Sequence, residues 1–354
     1  MQLGQAIDDQ QNPRHHLLLK SQDSPVGQGE GTLQQWKFKV LLLICVLAFP
    51  SLGSTATYDA IQPISYPPNP DPKKIDLGKK LYSDPLFSKN NFISCATCHS
   101  LNKGGCDNLP RYIGIDQKEG DLNTPTVLNA ILNFRQFWDG RAKTLEQVID
   151  DHVANETIFA NQWPEIVRRV QQNVNTLDNF KQTYSDGVTA DNIKDALTTF
   201  LAILVTPRSP FDLYLGGNKS ALSSDAQKGY QLFKQYGCIT CHQGPNMGGN
   251  LILPLGIYKN YYANKGHITK ADLGYFNVTG NPENKYEFKV PTLRNIALTA
   301  PYLHDGSAKT LEDVIKVMGE YEVGQPIPVY EIPYIVKFLE SLTGTIPRIA
   351  QDGK

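Results

Sequence analysis

Cys95-Ala96-Thr97-Cys98-His99 recurs as Cys238-Ile239-Thr240-Cys241-His242, 143 residues further along (Cys95 to Cys238) in a chain of 354 residues. Each C-x-x-C-H offers two thiols for thioether bonds and a histidine for the iron of a c-type haem. One copy is compatible with half a metal site or a redox pair; two copies specify two covalently bound haems c. A zinc centre wants four clustered Cys and His ligands, and nothing here requires one. Haem iron either carries electrons or does oxygen chemistry, so the sixth ligand at each iron decides the function.

Outward from the motifs, the chain repeats itself. Gly78, Leu81 and Tyr82 precede the first pentapeptide as Gly229, Leu232 and Phe233 precede the second. The i, i+3, i+4 spacing puts each trio on one helix face, expected to pack near its haem with the glycine allowing close approach. Pro125-Thr126-Val127-Leu128-Asn129 matches Pro291-Thr292-Leu293-Arg294-Asn295, and Asp139-Gly140 or Asp305-Gly306 lies 13 residues beyond each motif threonine. Ala142-Lys143-Thr144-Leu145-Glu146 and Ala308-Lys309-Thr310-Leu311-Glu312 follow, each opening an apolar helix. Thr144, Thr310 and Ser223 or Ser224 are expected helix caps. Further helices are expected near 163–174, 191–204 and 330–342, with few strands and long loops, above all at 243–290. The predicted fold is mainly α: two cytochrome c-like haem domains with long loops, 74–209 and 210–345, then a tail, 346–354.

Hydrophobic residues make up 40% of the chain, and its formal net charge of -1 gives no sign of a nucleic-acid partner. Residues 1–36 are polar and Gln-rich and read as disordered. Trp36-Lys37-Phe38-Lys39 leads into the apolar run Val40–Phe49, and Ser54-Thr55-Ala56 offers a small-residue cleavage site. The run is shorter than the roughly 20 residues of a bilayer span. Residues 1–56 are therefore read as a disordered extension plus signal peptide, or as an anchor to the inner membrane around 40–54. Either places the remainder in the periplasm. Residues 57–73 read as a Pro-rich tether. Four of the six cysteines belong to the motifs. Cys45 lies in the apolar run, and Cys106 is read as an inert thiol, the alternative being an intermolecular bridge.

Beyond Met1 the methionines are Met247 and Met318. Met247, five residues after His242, is too close to reach the opposite haem face. Met318, on the helix launched by Thr310, approaches from the far side, giving a His242/Met318 iron; the competing reading is a core gap-filler. A thioether ligand raises haem potential, and a six-coordinate iron is closed to substrates, so this centre holds an electron. His304 reads as a haem-propionate contact or a structural histidine, His267 as a loop residue, and Trp163 and Tyr302 as packing residues.

These motifs, with T-P-T-V-L-N-A (124–130), F-W-D-G-R-A (137–142), K-A-D-L-G-Y-F-N-V-T-G (270–280) and P-T-L-R-N-I-A-L-T-A-P-Y-L-H-D-G-S-A (291–308), resemble the bacterial di-haem cytochrome c peroxidase family, which includes the MauG-like enzymes. The resemblance covers 74–345. It implies reduction of hydrogen peroxide with electrons from a small periplasmic cytochrome c or copper protein, often by a homodimer. It assigns the electron-accepting haem to His242 and Met318, the peroxide-reacting haem to Cys95, Cys98 and His99, and coupling between them to Trp138. It also implies calcium held by the Asn123 side chain and the Thr299 and Pro301 carbonyls.

Two positions depart from the family. Its displaceable distal histidine, in an Ile-Gly-His-Gly context, is matched by Ile115, which implies a first iron open even when oxidised. Its distal glutamate, 20 residues after the tryptophan, is matched by Ile158 in Thr157-Ile158-Phe159. Isoleucine cannot move a proton between peroxide oxygens. Glu156 is one substitute. His152 is another: it lies 14 residues after Trp138, as Met318 lies 14 after His304, which makes it a candidate sixth ligand or acid/base, with a structural role as the alternative. Besides peroxidase, the sequence leaves open a MauG-like oxidase of a protein substrate and a non-enzymatic di-haem carrier or redox sensor.

Overall fold

The computed structural model describes residues 60–67 and 69–350. The leader readings, Cys45 and the end of the tail lie outside them. Helix α1 (Pro72–Ser83) starts where Asp71 accepts from the Lys73 amide at 2.9 Å, with proline in the first turn. After α2 (Cys95–Cys98) come α3 (Leu145–Ala154), α4 (Trp163–Gln172), α5 (Val174–Thr183) and α6 (Ala190–Ala202). Then follow α7 (Pro210–Leu215), α8 (Ser224–Gln235), α9 (Phe276–Thr279), α10 (Leu311–Val317) and α11 (Ile332–Glu340). Thr144, Ser223 and Thr310 cap α3, α8 and α10 as expected, accepting from Gln147, Ala226 and Asp313 amides. The helix expected over 163–174 ends at Gln172, because Asn173 accepts from the Thr176 amide and starts α5 instead. Strand β1 (Ile252–Pro254) pairs antiparallel with β2 (Glu287–Lys289), Ile252 opposite Lys289.

The two glycines of the repeated trios face a partner helix. A Cβ on Gly78 would lie 2.0 Å from the Ala196 carbonyl oxygen in α6, and one on Gly229 would lie 1.9 Å from that of Tyr334 in α11. The same close crossing is thus built twice, α1 on α6 and α8 on α11. The aromatic members of the trios reach the haem motifs: the Tyr82 hydroxyl donates to the His99 carbonyl, and the Phe233 and His242 ring centres are 6.4 Å apart.

The buried apolar side chains form two clusters. One gathers Leu77, Leu81, Phe87, Ile166, Phe180 and Phe200. The other gathers Phe211, Phe233, Met247, Ile335, Phe338 and Leu342. The repeat is exact in register from Asn123 onward: a constant shift of 166 relates Asn123 to Lys289, Trp138 to His304 and His152 to Met318. Backbone conformation follows it. Gly140 and Gly306 have φ of 68° and 67°, and Asn129 and Asn295 have 62° and 61°. Both asparagines grip Thr206, between the halves: Asn129 Oδ1 accepts from its amide at 2.8 Å and Asn295 Nδ2 donates to its hydroxyl at 2.9 Å. Such a buried network is stabilising only when its members are paired, as these are.

The stretch read as a tether is docked along part of its length. Ile61 and Ile64 are buried, the Ile64 amide donates to Asp212 at 3.3 Å, and the Gln62 carbonyl accepts from Arg294 at 2.9 Å. Its prolines keep it extended, but its two isoleucines bury apolar surface and hold it to the body of the protein.

Candidate functional site: two haem-attachment centres

At each C-x-x-C-H the histidine is oriented by a carbonyl. His99 Nδ1 lies 3.2 Å from the Gly105 oxygen, and His242 Nδ1 lies 3.3 Å from that of Met247. A Nδ1–H donor leaves Nε2 as the unprotonated metal-binding atom. Burial lowers the His242 pKa to about 4, the Met247 and Pro291 carbonyls acting in the opposite sense, so the imidazole is neutral. Met247 therefore serves the attachment side through its backbone, while its side chain is fully buried in the core.

Above His242 lies a cavity of 280 Å³ lined by Cys238, Cys241, His242, Phe233, Leu293 and Met318 among others. Met318 enters it where α10 passes into a π turn, Met318–Val323. The donor set fits a haem c: two thiols, an oriented imidazole, a thioether and an apolar wall. One cation completes the fit. Lys289 lines the same cavity, is 6% exposed, and has no ion pair among the described residues. Burial lowers its pKa to about 8. An acidic haem substituent suits that position.

The wall toward the first half carries Trp138, Asn123 and His304. Trp138 Nε1 donates to the Asn123 carbonyl at 2.9 Å, and the Trp138 and His304 ring centres are 6.5 Å apart. The backbone here is reciprocal: the Asn123 amide donates to the His304 carbonyl and the Lys289 amide to the Trp138 carbonyl, each at 2.8 Å. Each pair is the image of the other under the 166-residue shift, so the two halves meet as an isologous interface does. Asn123, Thr299 and Pro301, the residues expected at calcium, all line this cavity. Asn123 Nδ2 donates to the Leu109 carbonyl, which leaves its Oδ1 available.

His304 is held by Asp272 at 2.7 Å through Nε2; its Nδ1 is buried without a partner. Asp272, His304 and Asp305 are spaced to hold a cation, and the Lys265 ammonium reaches both carboxylates, at 2.5 and 2.8 Å. Burial alone would raise the Asp272 pKa, but Lys265, the Thr269 amide and His304 together pull it well below the ordinary 3.8. A depressed carboxylate stabilises the fold above its unfolded pKa and loses that contribution as pH falls. Thermal melts from pH 5 to 2 should therefore show Asp272→Asn less stable than wild type at pH 5 and the two converging in acid. A constant difference across this range would refute that role.

At the first centre, the two positions that depart from the family are neighbours. The Ile115 amide donates to the Thr157 carbonyl at 3.1 Å, and a Cβ on Gly114 would lie 3.6 Å from the Ile158 Cα. One apolar patch thus stands where the resemblance implied a histidine and a glutamate. Glu156 is exposed, with only its carbonyl engaged, by Lys118. Its side chain has no contact with His99 or His152 among the described residues. His152, on α3, faces His99 with 6.2 Å between ring centres. Burial, then His99, lowers the His152 pKa to about 3. Arg141, which pairs with Asp139 and Asp151, stacks on Phe137 at 3.4 Å, and Phe137 in turn packs on His152.

Other readings resolve simply. Cys106 is buried and its thiol is pushed up to about 11, first by burial, so it is inert at neutral pH. His267 is exposed, Trp163 donates to Asp150 at 2.8 Å, and Tyr302 is a core residue. The sequence reading missed Lys289 and Asp272. A lysine inside the apolar stretch Phe288-Lys289-Val290 was the available signal for the first; nothing local marks the second.

A family model described as di-haem cytochrome c peroxidase matches residues 72–220. The chain is 42% identical over 295 residues to cytochrome c peroxidase Ccp of Escherichia coli (strain K12), covering 83% of this chain and 63% of that protein. It is also 42% identical over 300 residues to cytochrome c551 peroxidase of Nitrosomonas europaea, covering 84% of this chain and 88% of that one. Methylamine utilization protein MauG of Methylorubrum extorquens is 31% identical over 247 residues, covering 69% of this chain and 68% of that protein. Among solved structures, a MauG-like protein associated with microbial copper homeostasis superposes with a TM-score of 0.71 at 24% identity, over 81% of this chain and 95% of that one, a likeness of fold.

Proposed function

The chain belongs to the bacterial di-haem cytochrome c peroxidase family, and from that premise we propose that it reduces hydrogen peroxide to water in the periplasm, with electrons from a small cytochrome c or copper protein. Family membership implies two c-type haems. The two cores and the 166-residue register support reading 74–209 and 210–345 as the haem domains. The periplasmic placement rests on the leader sequence. Among the described residues no helix is long and apolar enough to cross a membrane.

The observation that carries the reading is a single cavity lined at once by His242, Met318 and Trp138. Bound haem would supply electron storage at the second centre and peroxide activation at the first. The chain supplies the rest. Cys95, Cys98, Cys238 and Cys241 tether the cofactors, and the Gly105 and Met247 carbonyls set the His99 and His242 tautomers. Met318 closes the second iron to substrates and Lys289 neutralises an acidic substituent. Trp138, fixed through its Nε1 to Asn123, couples the halves. Calcium on Asn123, Thr299 and Pro301 would stiffen that joint, since Asn123 also holds Trp138. Peroxide needs two electrons and two protons to give two waters, and with Ile115 and Ile158 at the matched positions the nearest protonatable ring to His99 is His152.

One observation favours a second reading, MauG-like oxidation of a protein substrate. Trp138, His304, Tyr262, Tyr261 and Tyr321 form a chain of rings with centres 6.5, 6.2, 5.2 and 5.1 Å apart.

Stopped-flow mixing of oxidised and half-reduced holoprotein with peroxide and a reduced small cytochrome c tests the assignment. Two donor electrons should be consumed per peroxide, with the rate falling after calcium chelation and recovering on calcium addition. No donor oxidation from either state would sink the peroxidase reading. Peroxide-driven oxidation of a protein without donor consumption would favour the second.

A further inference from the structure

We propose that His152 is the second axial ligand of the first haem, opposite His99, and that it is a displaceable one which keeps this centre closed at rest. The proposal rests on reading Cys95–His99 as a haem c site and deepens that reading.

The spacing is the first argument. The His99 and His152 ring centres stand 6.2 Å apart with an interplanar angle of 29°. That is too far for direct contact, and no hydrogen bond joins the rings. An imidazole nitrogen binds a transition metal at about 2 Å and lies about 1.1 Å from its ring centre, so two imidazoles sharing one ion have centres about 6 Å apart.

The repeat is the second argument, and it is independent of the first. His152 is the 166-residue counterpart of Met318. Helices α3 and α10 both start at a capping threonine, Thr144 and Thr310, and both follow the same Asp-Gly turn. The two side chains leave equivalent positions of equivalent helices, each on the side facing its attachment motif: one is seen against His99, the other in the cavity with His242.

The surroundings of the ring are the third. Phe137 and Phe159 flank His152, with centres 5.5 and 6.4 Å away and planes turned by 81° and 85°. No hydrogen bond to His152 is found among the described residues. An imidazole in an aromatic box has unmet polar nitrogens, and ligation satisfies one of them. The same isolation makes the bond weak. His99 has the Gly105 carbonyl behind it, whereas His152 has no such support; losing an outer-shell partner typically lowers metal affinity by about 10–100-fold. Ile115 removes a competing histidine from this face, so His152 meets no rival there.

The test uses oxidised holoprotein. Wild type should show two six-coordinate, low-spin haems by electron paramagnetic resonance and visible spectroscopy, one with paired imidazole ligands. His152→Ala should turn one haem high-spin, and added imidazole should restore low spin. Azide should bind this variant at least about tenfold faster than wild type, because it no longer waits for a ligand to leave. A high-spin haem in resting wild type overturns the proposal without recourse to any variant, as does an unchanged His152→Ala spectrum. Should the alanine variant fail to fold, His152→Leu fills the aromatic box and carries the same expectation. A haemochrome assay showing fewer than two haems overturns the cofactor reading as well; two haems with unaltered ligation overturn the His152 assignment alone.

Discussion

Met318→Leu is expected to cut peroxide turnover on the order of a hundredfold while leaving the protein folded. Leucine conserves the volume of methionine, and such swaps cost less than about 1.5 kcal/mol in a packed core. Met318 is only half-buried and opens the π turn, so the packing loss lies at the low end. The thioether is a different matter. It favours reduced iron, and axial ligands move haem potentials across a span of about 0.8 V. Losing it should drop the potential of the second haem by on the order of 0.2 V and open that iron to exogenous ligands. The reading of Met318 as a gap-filler makes the opposite forecast, because leucine fills the same gap. Spectroelectrochemical titration separates the two: an unshifted potential in Met318→Leu would remove Met318 from the iron.

Much of this arrangement was legible because its chemistry is local or repeated. The pentapeptides are contiguous, and the threonine caps lie three residues from the amides they satisfy. The repeat identified Met318 by elimination and His152 by register before any distance was known. Other features depend on residues far apart in sequence. Gly78 was read as making room for haem, but its neighbour is Ala196, more than a hundred positions on. No sequence pattern pairs Lys265 with Asp272 and Asp305 around His304, because the three segments meet only in the folded chain. The stretch 60–67 looked like a tether since proline dominates its composition, while its docking is set by two isoleucines and by partners at 212 and 294. Ile115 taken alone implied an open first iron. The facing rings of His99 and His152 supply the missing term, and it came from the other side of the pocket.

Asp212→Ala should destabilise the protein by about 3–5 kcal/mol, the cost typical of stranding one member of a buried ion pair. Arg294 is 1% exposed and Asp212 4%, with Nη1 and Oδ1 2.8 Å apart. Burial lowers the Arg294 pKa and Asp212 opposes it; without the carboxylate, a desolvated guanidinium would keep only neutral acceptors, the Pro245 and Gln62 carbonyls and the Ser209 hydroxyl. The Ile64 and Ser209 amides would lose their acceptor too. The melting temperature should fall by roughly 10 °C, at the 2–4 °C per kcal/mol of large domains, and limited proteolysis should newly cut near 60–67. The damage should also reach the second haem. Arg294 pins the Pro245 carbonyl, Leu293 donates to the Met247 carbonyl, and that carbonyl orients His242. A broadened His242/Met318 spectrum should therefore accompany the lost stability. Replacing both charges, Arg294→Met with Asp212→Leu, removes the stranded cation and should recover part of the stability. If the double variant is no more stable than Asp212→Ala, the loss comes from the Ile64 and Ser209 amides rather than from the unpaired charge.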